Sequence, residues 1–170
     1  MPVKNFSSTG GYAVDATEVM NTDRALKNIS AMHMVSNHFV DANKDIFILK
    51  RQTDAVNNTQ QLSLDGTTPL AGNTPQLAND TVSFASATVF GQETTTNIYV
   101  YAAKFDLVIT TTAGGVPTVA SERKIIVRNN PPGQETWNVV PSAIQIGGLP
   151  FFTFQVSSVT TSSTVKWVGN

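Results

Sequence analysis

The chain has 170 residues, 41 % of them hydrophobic and 14 % charged, with a net charge of −1 and no cysteine. That length and hydrophobic content suit one packed domain, or a domain with an arm, and exclude disorder throughout. The near-neutral charge argues against a nucleic-acid partner, which needs a basic surface, and the lack of cysteine excludes disulfides and thiolate metal sites.

Residues 1–45 read as an N-terminal assembly arm. Gly10-Gly11 breaks the chain, and an alternating run from Tyr12 through Val14 to Met20 follows. Asn21-Thr22-Asp23 is a polar turn signal, and Arg24 to Ile29 returns, so the pattern predicts a small β-hairpin with its turn at 21–23. Ala31 to Val35 reads as a further strand or a short helical turn. So small a hairpin cannot bury a core alone. Its apolar residues Tyr12, Val14, Val19, Leu26, Ile29, Met32 and Met34 are therefore the candidate contacts to another subunit or partner.

Residues 46–170 read as strand after strand. Ile46 to Lys50 is a first strand, and Gln60 to Leu64 is a second that stops at the Asp65-Gly66 turn. A long polar loop over 67–80 leads into Thr81 to Gly91, which carries no charge. Ile98 to Thr112 has the clearest pattern. Its odd positions Tyr99, Tyr101, Ala103, Phe105, Leu107 and Ile109 are all apolar, which predicts one face buried along its length. Gly114 to Pro117 is a turn. Strands are then expected over Arg123–Asn129, Thr136–Val140, Phe151–Val156 and Thr164–Val168. Phe151 and Phe152 are adjacent, so a strand points them to opposite faces, and Phe151 becomes a candidate exposed or subunit-facing contact. No stretch forms a three-turn amphipathic helix, and none approaches the roughly 18 apolar residues of a transmembrane helix. The pattern predicts an all-β chain: an antiparallel β-sandwich or jelly-roll-like domain with an N-terminal extended arm and hairpin.

Several of these segments resemble the β-sandwich of tailed-phage virion proteins. The matching stretches are Gln52-Thr53-Asp54-Ala55, Leu62-Ser63-Leu64-Asp65-Gly66, Tyr101-Ala102-Ala103-Lys104-Phe105, Trp137-Asn138-Val139 and Lys166-Trp167-Val168. Gly11 to Val19, followed by Arg24-Ala25-Leu26-Lys27-Asn28-Ile29, is similar to hairpin segments of trimeric phage fibres. Thr81 to Gly91 departs from such sandwiches, which carry a charged strand there. The resemblance implies a virion structural protein on the outer surface, made in the host cytoplasm and assembling as a homotrimer. A capsid cement or head-decoration protein bound to the major capsid protein is the leading expectation. A short tail or head fibre, or a baseplate component binding a host surface glycan, is the alternative.

Chemistry-bearing clusters are sparse. His33, His38, Asp41 and Asp45 lie close in sequence and could present imidazole and carboxylate to zinc or iron. A spacing of five places the two histidines on opposite faces of a strand, so solvated histidines in an arm are the preferred reading. The acids Asp15, Glu18, Asp65, Glu93, Asp106, Glu122 and Glu135 are scattered, without the paired carboxylates of a glycosidase. No phosphate loop or nucleophile elbow is present. The aromatics follow strand alternation and read as core rather than as a sugar platform. The expectation is a non-enzymatic protein without cofactor, bound metal, nucleic-acid partner or membrane span.

Overall fold

The computed structural model describes residues 12–14, 17–20, 30–35, 43–133, 135–159 and 164–170. Every helix or strand among them is a strand, and every pairing is antiparallel. In chain order these are β1 (Tyr12–Val14), β2 (Thr17–Met20), β3 (Ala31–Val35), β4 (Asn43–Phe47), β5 (Leu49–Thr53), β6 (Thr59–Gln61), β7 (Thr81–Glu93), β8 (Val100–Thr111), β9 (Pro117–Asn130), β10 (Thr136–Ile146), β11 (Leu149–Val159) and β12 (Val165–Gly169).

A five-stranded sheet in the order β5-β12-β7-β8-β9 faces a three-stranded sheet in the order β10-β11-β6. Their inner faces share one core. Val89, Tyr101, Ala103, Phe105, Leu107, Ile109, Val165 and Trp167 come from the larger sheet; Trp137, Val139, Phe152, Phe154 and Val156 come from the smaller. The chain is therefore an antiparallel β-sandwich, as the strand alternation predicts.

Registers within the larger sheet explain the packing. Small residues of β7 stand opposite large ones of β8: Ala85 with Leu107, Ala87 with Phe105, Gly91 with Tyr101. At Val89 and Ala103 the sizes reverse. Alternating large and small partners fills the space between sheets without strain. Trp167 of β12 meets Tyr101 and Trp137 edge-on, with ring centroids 5.7 and 5.9 Å away, tying both sheets together at one end.

The two sheets are joined along one flank and bridged by a side chain along the other. Leu62 donates its N–H to Phe154 of β11, while Ser63 exchanges backbone bonds with Lys50 of β5. On the opposite flank β9 and β10 are both edge strands. Lys124 of β9 spans them, donating to Asn138 Oδ1 and the Val139 carbonyl, both at 2.7 Å. Edge position accounts for Pro141 within β10, since a missing N–H costs nothing on the unpaired side.

Several boundaries differ from the sequence reading. The segment read as one strand over 46–50 is two, with β4 in a separate ribbon and β5 in the sandwich, so a division drawn at 45/46 falls inside β4. The run from Tyr12 to Met20 is two strands paired antiparallel, with Ala13 opposite Glu18, and the expected turn at 21–23 lies outside the described residues. The expected return strand over 24–29 lies outside the described residues. β9 begins at Pro117, six residues before the expected start, because the first position of an edge strand tolerates proline.

Phe151 requires a correction. It is fully buried, and Phe152 is nearly so. β11 is the central strand of its sheet, and the 73–77 segment runs along its free end. Gln76 bridges Phe151, Phe152 donates its N–H to the Pro75 carbonyl at 3.0 Å, and Leu77 donates to the Pro150 carbonyl at 2.9 Å. The long loop thus seals the flank on which Phe151 sits, and that ring is not available to a partner.

Candidate assembly surface

β3 and β4 form a two-stranded ribbon set apart from the two sheets of the sandwich. Its registers are Ala31 with Phe47, Met32 with Ile46, His33 with Asp45 and Met34 with Lys44. The ladder continues to Ser30, whose carbonyl accepts the Ile48 N–H at 2.7 Å. Alternation sorts these residues onto two faces. Met32, Met34, Lys44, Ile46 and Ile48 share one; Ala31, His33, Asp45 and Phe47 share the other.

Phe47 packs against the sandwich core and anchors the base of the ribbon. The opposite face is partly open: Met32, Met34, Ile46 and Ile48 are 37–43 % exposed. A lone two-stranded ribbon is marginal in water, and four exposed large apolar side chains on one face add to the mismatch.

The ribbon also carries the one imidazole among the described residues. His33 Nδ1 contacts the Asp45 carboxylate directly across the ribbon, on the face opposite the methionines. His38 and Asp41, which the sequence grouped with them, lie outside the described residues. Among the described residues no three His, Cys, Asp or Glu side chains gather as a metal site would require. Of the expected arm contacts, Met32 and Met34 fall on the exposed ribbon face. Tyr12, Val14 and Val19 lie on the β1–β2 ribbon without described side chains, and Leu26 and Ile29 lie outside the described residues.

A second surface went unnoticed in the sequence. β7 points its small odd residues inward and its large even residues outward. Val82, Phe84 and Phe90 therefore stand on the outer face of the larger sheet, with Phe84 82 % exposed. Phe84 pairs with Val108 and Ser86 with Asp106. An open depression of about 410 Å³ lies here, edged by Phe84, Ser86, Asp106, Val108, Ser121 and Arg123. The uncharged run from Thr81 to Gly91 was the available signal, because an outward face normally carries charge.

The remaining ionised clusters build turns. Asp65 accepts from the Thr67 N–H, the Asn73 amide and the Ser63 hydroxyl, at 2.9, 3.0 and 2.9 Å. These bonds, led by the Thr67 N–H, hold its carboxyl far below the usual range. Glu93 accepts from the backbone N–H groups of Thr96 and Thr95, both at 2.6 Å, and is pulled down to about 2. Asp54 is lowered by the N–H groups of Asn57 and Val56. Each carboxylate closes its own loop, as Asp does in turns for backbone reasons.

No protein-family model matches the chain, and no curated protein matches it.

Proposed function

We propose that this chain is a structural protein of a tailed-phage virion, a capsid cement or head-decoration protein that holds to its shell through the N-terminal ribbons and its own oligomerisation. The observation that carries the assembly reading is the partly open Met32–Met34–Ile46–Ile48 face, on a ribbon too small to be stable alone. The placement in a virion rests on the segment resemblance from Gln52-Thr53 to Lys166-Trp167-Val168. A sandwich tied by aromatic contacts, with turns locked by ionised carboxylates, suits a role in which the protein bears load and undergoes no chemistry. The mechanism is burial of apolar area at junctions between subunits and against the shell.

The test is attachment to capsids that lack the protein. Full-length protein should sediment with them, and a form without residues 1–40 should stay in the supernatant while keeping the sandwich's circular dichroism. Equal sedimentation of the two forms would remove the arm from the reading. Absence of binding by either would remove the capsid.

A further inference from the structure

We propose that the outer face of the larger sheet binds single-stranded nucleic acid, with a base stacked on Phe90 and phosphates held by the four cations around it. The inference goes beyond the assembly reading and uses a surface other than the ribbon.

The placement follows from register. Val89, Tyr101 and Trp167 point into the core, so their strand neighbours Phe90, Ala102 and Val168 point outward. One rung then crosses all five strands: Lys50, Val168, Phe90, Ala102 and Arg128. One outward rung to either side, Lys166 pairs with Gln92 and Lys104 with Thr88. With strands about 4.8 Å apart and outward rungs about 6.8 Å apart, the α-carbons of all four cations lie within roughly 10 Å of that of Phe90. The ring is 51 % exposed, and the four cations are exposed. None of the four is in an ion pair, since the one such pair among the described residues is His33 with Asp45. Asp106 is the sole acidic side chain on this face among the described residues. It lies two rungs from Phe90 and has Arg123 as its register partner.

The net charge of −1 hides this segregation. Asp54, Asp65 and Glu93 close their own turns, and Glu135 accepts from Trp137 Nε1. The strands of the smaller sheet carry no charge at all. The expectation of no nucleic-acid partner rested on the total, whereas phosphates meet a local surface. Four cations that repel one another around an apolar ring fit an extended anion. Three of them are lysines, a residue depleted in protein–protein interfaces. A sugar chain offers many hydroxyl donors, and ammonium and guanidinium groups accept none. A bilayer needs a broad apolar face, and here a small apolar centre is ringed by charge. Single-stranded nucleic acid alternates flat bases with phosphates, and aromatic rings set among cations hold such strands with little regard to sequence.

The test is fluorescence anisotropy of the full-length protein with a labelled oligothymidylate. The logarithm of the association constant should fall against that of the salt concentration with a slope of about −3, as four phosphate contacts on a single strand require. Phe90→Ala should weaken binding roughly tenfold and keep that slope. Lys104→Gln combined with Arg128→Gln should cut the slope by about half. Lys44→Gln, on the ribbon, should change neither quantity. These side chains are exposed, so the melting temperatures should match that of wild type. Absence of binding at low salt would overturn the inference, as would a Phe90→Ala variant that binds like wild type. Tighter binding to phosphatidylglycerol vesicles or to dextran sulfate would also overturn it, assigning the face to a membrane or to an acidic polysaccharide. Capsid sedimentation depends on the ribbon, so each reading fails on its own measurement.

Discussion

The indole of Trp167 lies directly on the α-carbon of Gly91. The two are register partners across β12 and β7, and a Cβ built on Gly91 would stand 2.5 Å from Trp167 Cζ3. No side chain can be accommodated there unless the ring moves. The ring is fixed by edge contacts to Tyr101 and Trp137 and by the bond from its Nε1 to Thr53 Oγ1 at 2.8 Å. Gly91→Ala should therefore cost about 1–3 kcal/mol, the usual range for overpacking a well-filled core. Thermal melting checks it; an unchanged midpoint would mean the indole is free to shift.

Thr53 is the polar counterpart of that aromatic cluster. Its buried hydroxyl oxygen accepts from both Trp167 Nε1 and the Ser158 hydroxyl, at 2.8 and 2.7 Å. Ser158 belongs to β11 and Trp167 to β12, so one oxygen links the two sheets through the interior. Thr53→Val keeps the shape and strands both donors, with an expected loss of about 1–3 kcal/mol in urea unfolding. Thr53→Ser retains the acceptor and should lose clearly less. If the two variants were equally stable, packing rather than the hydrogen bonds would be the cause.

What the sequence revealed and concealed follows from one property of strands. A period of two separates two faces but does not say which is inside. On β8 the choice was evident, because Tyr101, Phe105, Leu107 and Ile109 share one parity while Lys104 and Asp106 share the other. On β7 both parities are uncharged from Thr81 to Gly91, and the bulkier residues Phe84 and Phe90 turned out to face outward. The inward Ala85, Ala87 and Gly91 became intelligible only once their partners on β8 and β12 were known. Phe151 failed differently: its burial depends on backbone pairing with the 73–77 segment, which has no strand pattern. The ribbon face was half legible, since Met32 and Met34 stood out but their partners Ile46 and Lys44 had been assigned to or beside the sandwich's first strand.

Acid should weaken the fold through its turn carboxylates. Glu93 titrates at about 2 in the folded chain against an ordinary 4.5, because the N–H groups of Thr96 and Thr95 favour its charged form. A group whose folded pKa is depressed stabilises the fold above its unfolded value and loses that contribution as the pH falls through the folded one. The loss therefore runs from about pH 4.5 down to about 2 for Glu93, and Asp65, lowered in the same direction, adds to it at the acid end. Glu93→Gln should be less stable than wild type at pH 7, with the difference closing by pH 2. Urea midpoints measured across that range decide it, and a gap independent of pH would show that the Thr95–Thr96 bonds do not depend on the charge.

The ribbon should be dispensable for folding and required for assembly. Met32 and Met34 are more than a third exposed and belong to no buried cluster, and the core residues all lie on or beside the sandwich strands. Each of the four apolar side chains on that face is already partly covered, so covering the remainder would contribute on the order of 1 kcal/mol apiece. Together they reach a few kcal/mol, enough to change a dissociation constant by two or more powers of ten. Met32→Asp with Met34→Asp should accordingly leave the thermal midpoint of the sandwich within a degree or two, while abolishing self-association in light scattering and retention on capsids. Aspartate at these positions puts two charges against whatever surface the ribbon meets, and an ion buried without a partner opposes the contact more strongly than a truncation would. A double variant that still assembles would move the contact to the β1–β2 ribbon, and the same pair of measurements on Tyr12→Asp would then locate it.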